Sequence, residues 1–234
     1  MAKRRINYVI LNVLVLILVL SFAYVFGLFK KDDTSKSLDM TTLSLPKRLA
    51  FMSGHVQAGL ELYRLNMPKM AAPHLLHPIS EIYDAEREGL DKIGFNAEIF
   101  KKVSQSLEQN LSDVQVENLL MQANENLEFL TKEAKGQPEE IIIFLLKTAN
   151  KEYMVAIEDN EIIEVGEYQD AWGFIKVALQ QTTRIDDKKK SKALKIKLLE
   201  LHKNWSKGPI PVDNPVGVET IANQVDEAIR ILKN

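Results

Sequence analysis

The chain has 234 residues, of which 26% are charged and 46% hydrophobic, and its formal net charge is −2. That length is enough to bury a sizeable core in one large domain or two small ones. The balanced charge lacks the basic excess that nucleic-acid binding needs. No cysteine is present, which excludes disulfides, thiolate metal sites, a cysteine nucleophile and covalent c-type haem.

Lys3, Arg4 and Arg5 precede an apolar run over residues 8–29 that is broken only by Asn12, Ser21 and Gly27. About 20 such residues cross a bilayer as a helix. An uncleaved anchor uses the whole run. A cleaved signal peptide uses residues 9–20 as its apolar core, with Ser21 and Ala23 before the cut. The apolar continuation through residues 24–29 favours the anchor. On either reading the positive-inside rule leaves the three basic residues in the cytoplasm and the bulk of the chain outside it. The expectation is a single-pass protein of the bacterial inner membrane with its C-terminal domain in the periplasm. Its divisions are an anchor over 1–30, a polar linker over 31–45 and a helical domain over 46–234.

Past the linker nearly every segment has helical periodicity. Pro46 suits a first helical turn with Ser44 as its cap. Leu49, Met52, Val56, Leu60 and Tyr63 then recur at spacings of three and four, an amphipathic stripe. Gly54 and Gly59 inside this helix cost helix propensity and suit close approach of a neighbouring backbone. Pro73 and Pro78 bracket a short segment, His-Leu-Leu-His, expected to turn a corner between helices. Further helices are expected after Pro78, over 97–107 and over 112–134, the last stopped by Gly136 and Pro138. Residues 141–146 are apolar throughout, and Ala149, Tyr153, Ala156 and Ile157 continue them at helical spacing. Asp159 and Asn160 mark a turn, and a partner helix begins near Glu167, giving an αα-hairpin. Residues 186–192 read as a solvated helix start. Val218, Ile221, Val225, Ile229 and Leu232 line the last helix. The fold class is all-α: an N-terminal transmembrane helix followed by a soluble bundle of about seven helices.

Three of the four histidines fall within residues 54–83: His74 and His77 at the corner and His55 on the preceding helix, with Glu81 following His77 at i+4. Imidazole nitrogens and a carboxylate are the donor set for borderline divalent metals. His55, His74, His77 and Glu81 are therefore the candidate metal ligands. The alternative is that His77 caps the following helix while His55 and His74 satisfy buried hydrogen bonds. A second cluster, Glu152, Tyr153, Glu158 and Asp159 with Glu167, Tyr168 and Asp170, reads either as a hard-cation patch or as a solvated acidic turn. Pairings of Ser53 with His55 and of Ser80 with His77 lack the elbow and third orienting group of a hydrolase, and no enzyme is expected.

Residues 153–174, YMVAIEDNEIIEVGEYQDAWGF, resemble a unit of the extracytoplasmic helical regions linked to the high-affinity iron permease family and, more loosely, of imelysin-like proteins. Ala156, Asp159, Ile162, Glu167, Tyr168, Asp170, Ala171 and Phe174 carry the resemblance, and Asn160 stands where the family pattern has glycine. Residues 54–83 look like a companion segment. The multiple membrane helices of the permease and the imelysin Gly-x-His-x-x-Glu motif are both missing. The resemblance implies an iron-uptake setting. With the residues, it gives the expectation of a membrane-anchored periplasmic helical protein that binds or hands over iron, copper or zinc. That role would involve the membrane, an envelope membrane-protein partner and no nucleic acid. The alternative is a structural or interaction module of the envelope without a metal.

Overall fold

The computed structural model describes residues 42–77, 89–108 and 113–233. All of them lie in the unit Met40–Asn234. The expected anchor, most of the linker, Ser80, Glu81 and the helix after Pro78 as far as residue 88 lie outside the described residues; where that helix is expected to end, Asp91–Ile93 form a single 3-10 turn. Among the described residues, no helix is long and apolar enough to cross a membrane.

Eight α-helices are found among the described residues: α1 Leu45–Arg64, α2 Pro68–Leu76, α3 Ala97–Glu108, α4 Asp113–Ala134, α5 Pro138–Ala156, α6 Val165–Gln181, α7 Lys188–His202 and α8 Val218–Lys233. Proline opens three of them, where its missing N–H costs nothing and its fixed φ suits a first turn. Asp187 caps α7, its carboxylate accepting from the backbone N–H groups of Lys189 and Lys190 at 2.9 and 3.0 Å. Between α5 and α6 lies a two-residue hairpin that pairs Ile157 with Ile162 and Glu158 with Glu161. Its turn residues, Asp159 and Asn160, have φ of 50° and 63°. Both are left-handed, as a type I′ turn requires, and asparagine tolerates this better than other non-glycine residues.

Two apolar clusters meet along α1. One joins α5, α6, α7 and α8 and includes Ala50 and Ala58 of α1. The other joins α2, α3 and α4 to Leu49, Met52, Val56, Leu60 and Leu62 of α1. Every residue from Met52 to Leu60 is buried. The stripe seen in the sequence is thus one face of a helix that is enclosed on all sides. Its polar members, Ser53, His55 and Gln57, are small or hydrogen-bonding side chains placed between helices.

The proline-bracketed corner differs from the sequence reading. Helix α2 starts at Pro68 and carries Pro73 inside it, so the segment is a helical turn and a half longer than the bracketing prolines suggest. Interior proline removes one helical hydrogen bond. Burial of Ala71, Ala72, His74 and Leu75 against α1 and α6 offsets that loss.

Candidate metal centre

Helices α1 and α6 cross with their main chains in contact. A Cβ on Gly173 would collide with the carbonyl oxygen of Gly54, and one on Gly54 would collide with the Phe174 ring. Gly59 does the same for α2: a Cβ there would come within 2.7 Å of Leu75 Cγ. The two glycines noted in the sequence therefore serve two different neighbours. Together they draw α2 and α6 against the same buried stretch of α1.

At this meeting point His55 of α1 and His74 of α2 converge on Asp170 of α6. His55 Nδ1 donates to Asp170 Oδ1 at 2.7 Å and His74 Nδ1 donates to the same oxygen at 2.8 Å. His74 Nε2 donates to Gln169 Oε1 at 2.8 Å. His55 Nε2 is buried and has no hydrogen-bond partner among the described residues. His77 stacks on His55, ring centroids 3.6 Å apart and planes 16° from parallel. Phe51 and Phe174 stand edge-on to His55 at 4.7 and 5.2 Å, closing the imidazoles off from water.

Burial and charge pull these groups apart in proton affinity. Burial disfavours the Asp170 carboxylate, yet the two imidazoles beside it outweigh burial and hold it well below the usual carboxylate range. For His74 burial opposes protonation, but the hydrogen bond and charge of Asp170 carry its pKa upward. His77 is pushed down to about 2, first by burial and then by repulsion from His55. It is therefore neutral, the state in which imidazole binds metals.

The ligand atoms of His55, His74 and Asp170 all lie within 4.8 Å of one another. Two imidazoles and one carboxylate form an N/O donor set with no sulfur. Such a set suits iron(II), zinc or copper(II) and resembles the two-histidine, one-carboxylate arrangement of non-haem iron. The orphaned Nε2 of His55 and the neutral His77 are further nitrogen donors at the same place. In the stacked arrangement, however, the in-plane lone pairs of His55 and His77 run side by side, so ring rotation precedes joint ligation.

Of the four residues singled out in the sequence, the structure brings together His55, His74 and His77. Glu81 lies outside the described residues. Asp170 is the member sequence reasoning placed elsewhere, in an acidic turn. That turn divides. Glu158 and Asp159 are exposed on the hairpin, whereas Tyr153, Tyr168 and Asp170 are buried. Glu152 of α5 and Glu167 of α6 are half-buried and hydrogen-bonded to each other. Burial and then the Glu167 charge push Glu152 up to about 8, so the pair shares a proton at neutral pH. The signal for Asp170 is a carboxylate in the run Asp-Ala-Trp-Gly-Phe, where the four residues after it are all buried. Ser53 makes no hydrolase pair with His55: its hydroxyl donates to Leu49 O at 2.8 Å within its own helix.

The fold and site together define a helical bundle with a buried imidazole–carboxylate cluster between its first helices and its sixth. Residues 131–233 match the family model of the iron permease-associated 4-helix bundle domain. The match takes in α5, α6, α7 and α8 and bears out the iron-permease link that residues 153–174 suggested. It includes Asp170 and Gln169 but stops short of all three histidines. No curated protein and no solved structure matches the chain.

Proposed function

We propose that this protein binds a transition metal at His55, His74, His77 and Asp170, with Glu81 as a further candidate ligand, and hands it on without catalysing a reaction. The observation that carries the reading is the convergence of His55 and His74 on one buried carboxylate, beside an imidazole nitrogen with no partner. A buried charged cluster is costly to keep in a core, and metal ligation is one role that repays the cost. Iron is the leading candidate because residues 131–233 resemble an iron permease-associated domain. The donor set equally accommodates zinc and copper. The basic N-terminus and apolar run support a membrane anchor with this domain on the periplasmic side, near an envelope membrane protein. Metal analysis of the protein loaded anaerobically with iron(II), or with zinc, should give one ion per chain. His74→Ala and His77→Ala should each weaken metal affinity by at least about tenfold. Absence of bound metal in the parent protein would overturn the reading.

One observation favours a second reading. Both nitrogens of His74 already have hydrogen-bond acceptors, so His55, Asp170 and His74 form a complete tether among α1, α2 and α6. On that reading the protein is an interaction module of the envelope, and the cluster locks its helices. A partner recovered from membranes equally by the parent and by His74→Ala would support it.

A further inference from the structure

On α1, Ser53 and Gln57 flank His55 in sequence but point to the opposite side of the helix, since residues two apart diverge by about 200°. There they form the floor of a cavity of about 410 Å³ walled by α4, α6 and the turn after α6. We propose that this cavity is a binding site for a small organic acid carrying hydroxyl groups, held by Arg184 and a ring of amides.

Three features specify that ligand. The first is charge. Arg184 is half-buried at the cavity wall, and its hydrogen bonds go to two neutral oxygens, Gln181 Oε1 at 2.7 Å and Gly136 O at 3.1 Å. No carboxylate among the described residues forms an ion pair with it. A guanidinium so held keeps a charge without an ion-pair partner at the cavity wall, and the N–H groups of its planar fork not taken by Gln181 and Gly136 can donate to a carboxylate. Lys132 at the rim adds a second cation, and Glu128 beside it disfavours a multiply charged phosphate.

The second is the amide chain. Gln180 donates to Gln57 at 3.4 Å, Gln57 to Asn124 at 3.3 Å, and Asn124 to Glu128 at 2.9 Å. The two inner bonds are long, so a ligand hydroxyl can compete for either partner. Amides both donate and accept, as does a hydroxyl group.

The third is size and surroundings. The volume falls within the range of small-ligand pockets and far exceeds an inorganic anion. Leu127 and Val177 give the floor an apolar base for a short carbon chain. This site is separate from the metal centre: along α6, Gln180 and Asp170 lie on opposite sides of Gly173.

Calorimetric titration of the full chain in detergent tests the assignment, with malate and gluconate as hydroxy acids and inorganic phosphate and sorbitol as controls. At least one hydroxy acid should bind with Kd below about 1 mM, while phosphate and sorbitol bind at least about tenfold more weakly. Arg184→Lys keeps the charge and loses the fork, and should weaken hydroxy-acid binding at least about tenfold. Thr131→Trp fills the cavity from α4 while keeping the Arg184 guanidinium in the chain, and should abolish binding while the thermal transition persists. Failure of both acids to bind, equal binding of phosphate or sorbitol, or binding that survives Thr131→Trp would each overturn the proposal.

Discussion

Gly173 of α6 rests against the carbonyl of Gly54 of α1, and no side chain larger than hydrogen fits at either position. That contact sets the distance at which His55, the next residue along α1, reaches Asp170, three residues back along α6. Gly173→Ala and Gly54→Ala should each destabilise the fold by ~2–3 kcal/mol, because the helices must separate to admit a methyl group. Gly166 has no atom within 4 Å of a built Cβ. Gly166→Ala should leave stability unchanged or raise it by under ~1 kcal/mol. Urea unfolding of the three variants checks both halves. Parental stability in Gly173→Ala would mean that the helices do not cross so closely.

Asp170→Asn removes the anion that both His55 and His74 use. It should cost ~3 kcal/mol, the usual scale for leaving buried charged partners unpaired. It should also return the pKa of His74 downward, since Asp170 is what raises it. An NMR titration of the imidazole protons reads this shift directly, and an unmoved His74 would remove Asp170 from the network.

Acid should unfold the protein in two steps of different origin. A group whose folded pKa is depressed adds stability above its unfolded pKa and loses it as pH falls toward the folded value. For His77 that loss begins below about 6.5, its ordinary value, and continues toward about 2. For Asp170 the loss begins only below its ordinary 3.8. His74 runs the other way: its raised pKa gives full stabilisation below 6.5, lost as pH rises through the folded value. His77→Phe keeps an aromatic ring on His55 and cannot take up a proton. Urea midpoints between pH 4 and 6.5 should therefore fall less steeply in that variant than in the parent. Parallel slopes would contradict the assignment.

Glu152 has the opposite dependence on alkali. Its pKa is raised from 4.5 to about 8, so it destabilises the fold increasingly as pH rises through that interval. Glu152→Gln should gain ~1–2 kcal/mol at pH 8 and little at pH 4.5, a figure reduced from the full shift because the pair is only half-buried. Equal stability of the two proteins at pH 8 would show that Glu152 and Glu167 do not share a proton.

Helix positions were legible in the sequence because period and punctuation agreed. Pro138, the run 141–146 and the left-handed pair Asp159 and Asn160 mark α5 and its turn, and Ile221, Val225, Ile229 and Leu232 of the apolar face of α8 are buried, Val218 only partly. Burial of α1 on all sides was less legible. Ser53, His55 and Gln57 are polar positions on two sides of α1, and their burial shows only once their neighbours on α4 and α6 are known. Three histidines could be gathered from sequence because α1 and α2 are adjacent. Asp170 could not, since it lies 96 residues from His74 and sits beside residues that form an exposed turn. Pro73 reads as a helix boundary in the sequence, yet the packing of α2 tolerates it inside.

Cobalt(II) titration followed by visible absorption tests the central claim most directly, because cobalt reports nitrogen and oxygen ligation through its colour. The metal-centre account predicts saturation at one equivalent per chain, with affinity rising as pH rises and His74 gives up its proton. His55→Ala and Asp170→Asn should abolish the spectrum in folded protein. No saturable spectrum in the parent, or an unchanged one in both variants, would contradict a metal centre at His55, His74, His77 and Asp170.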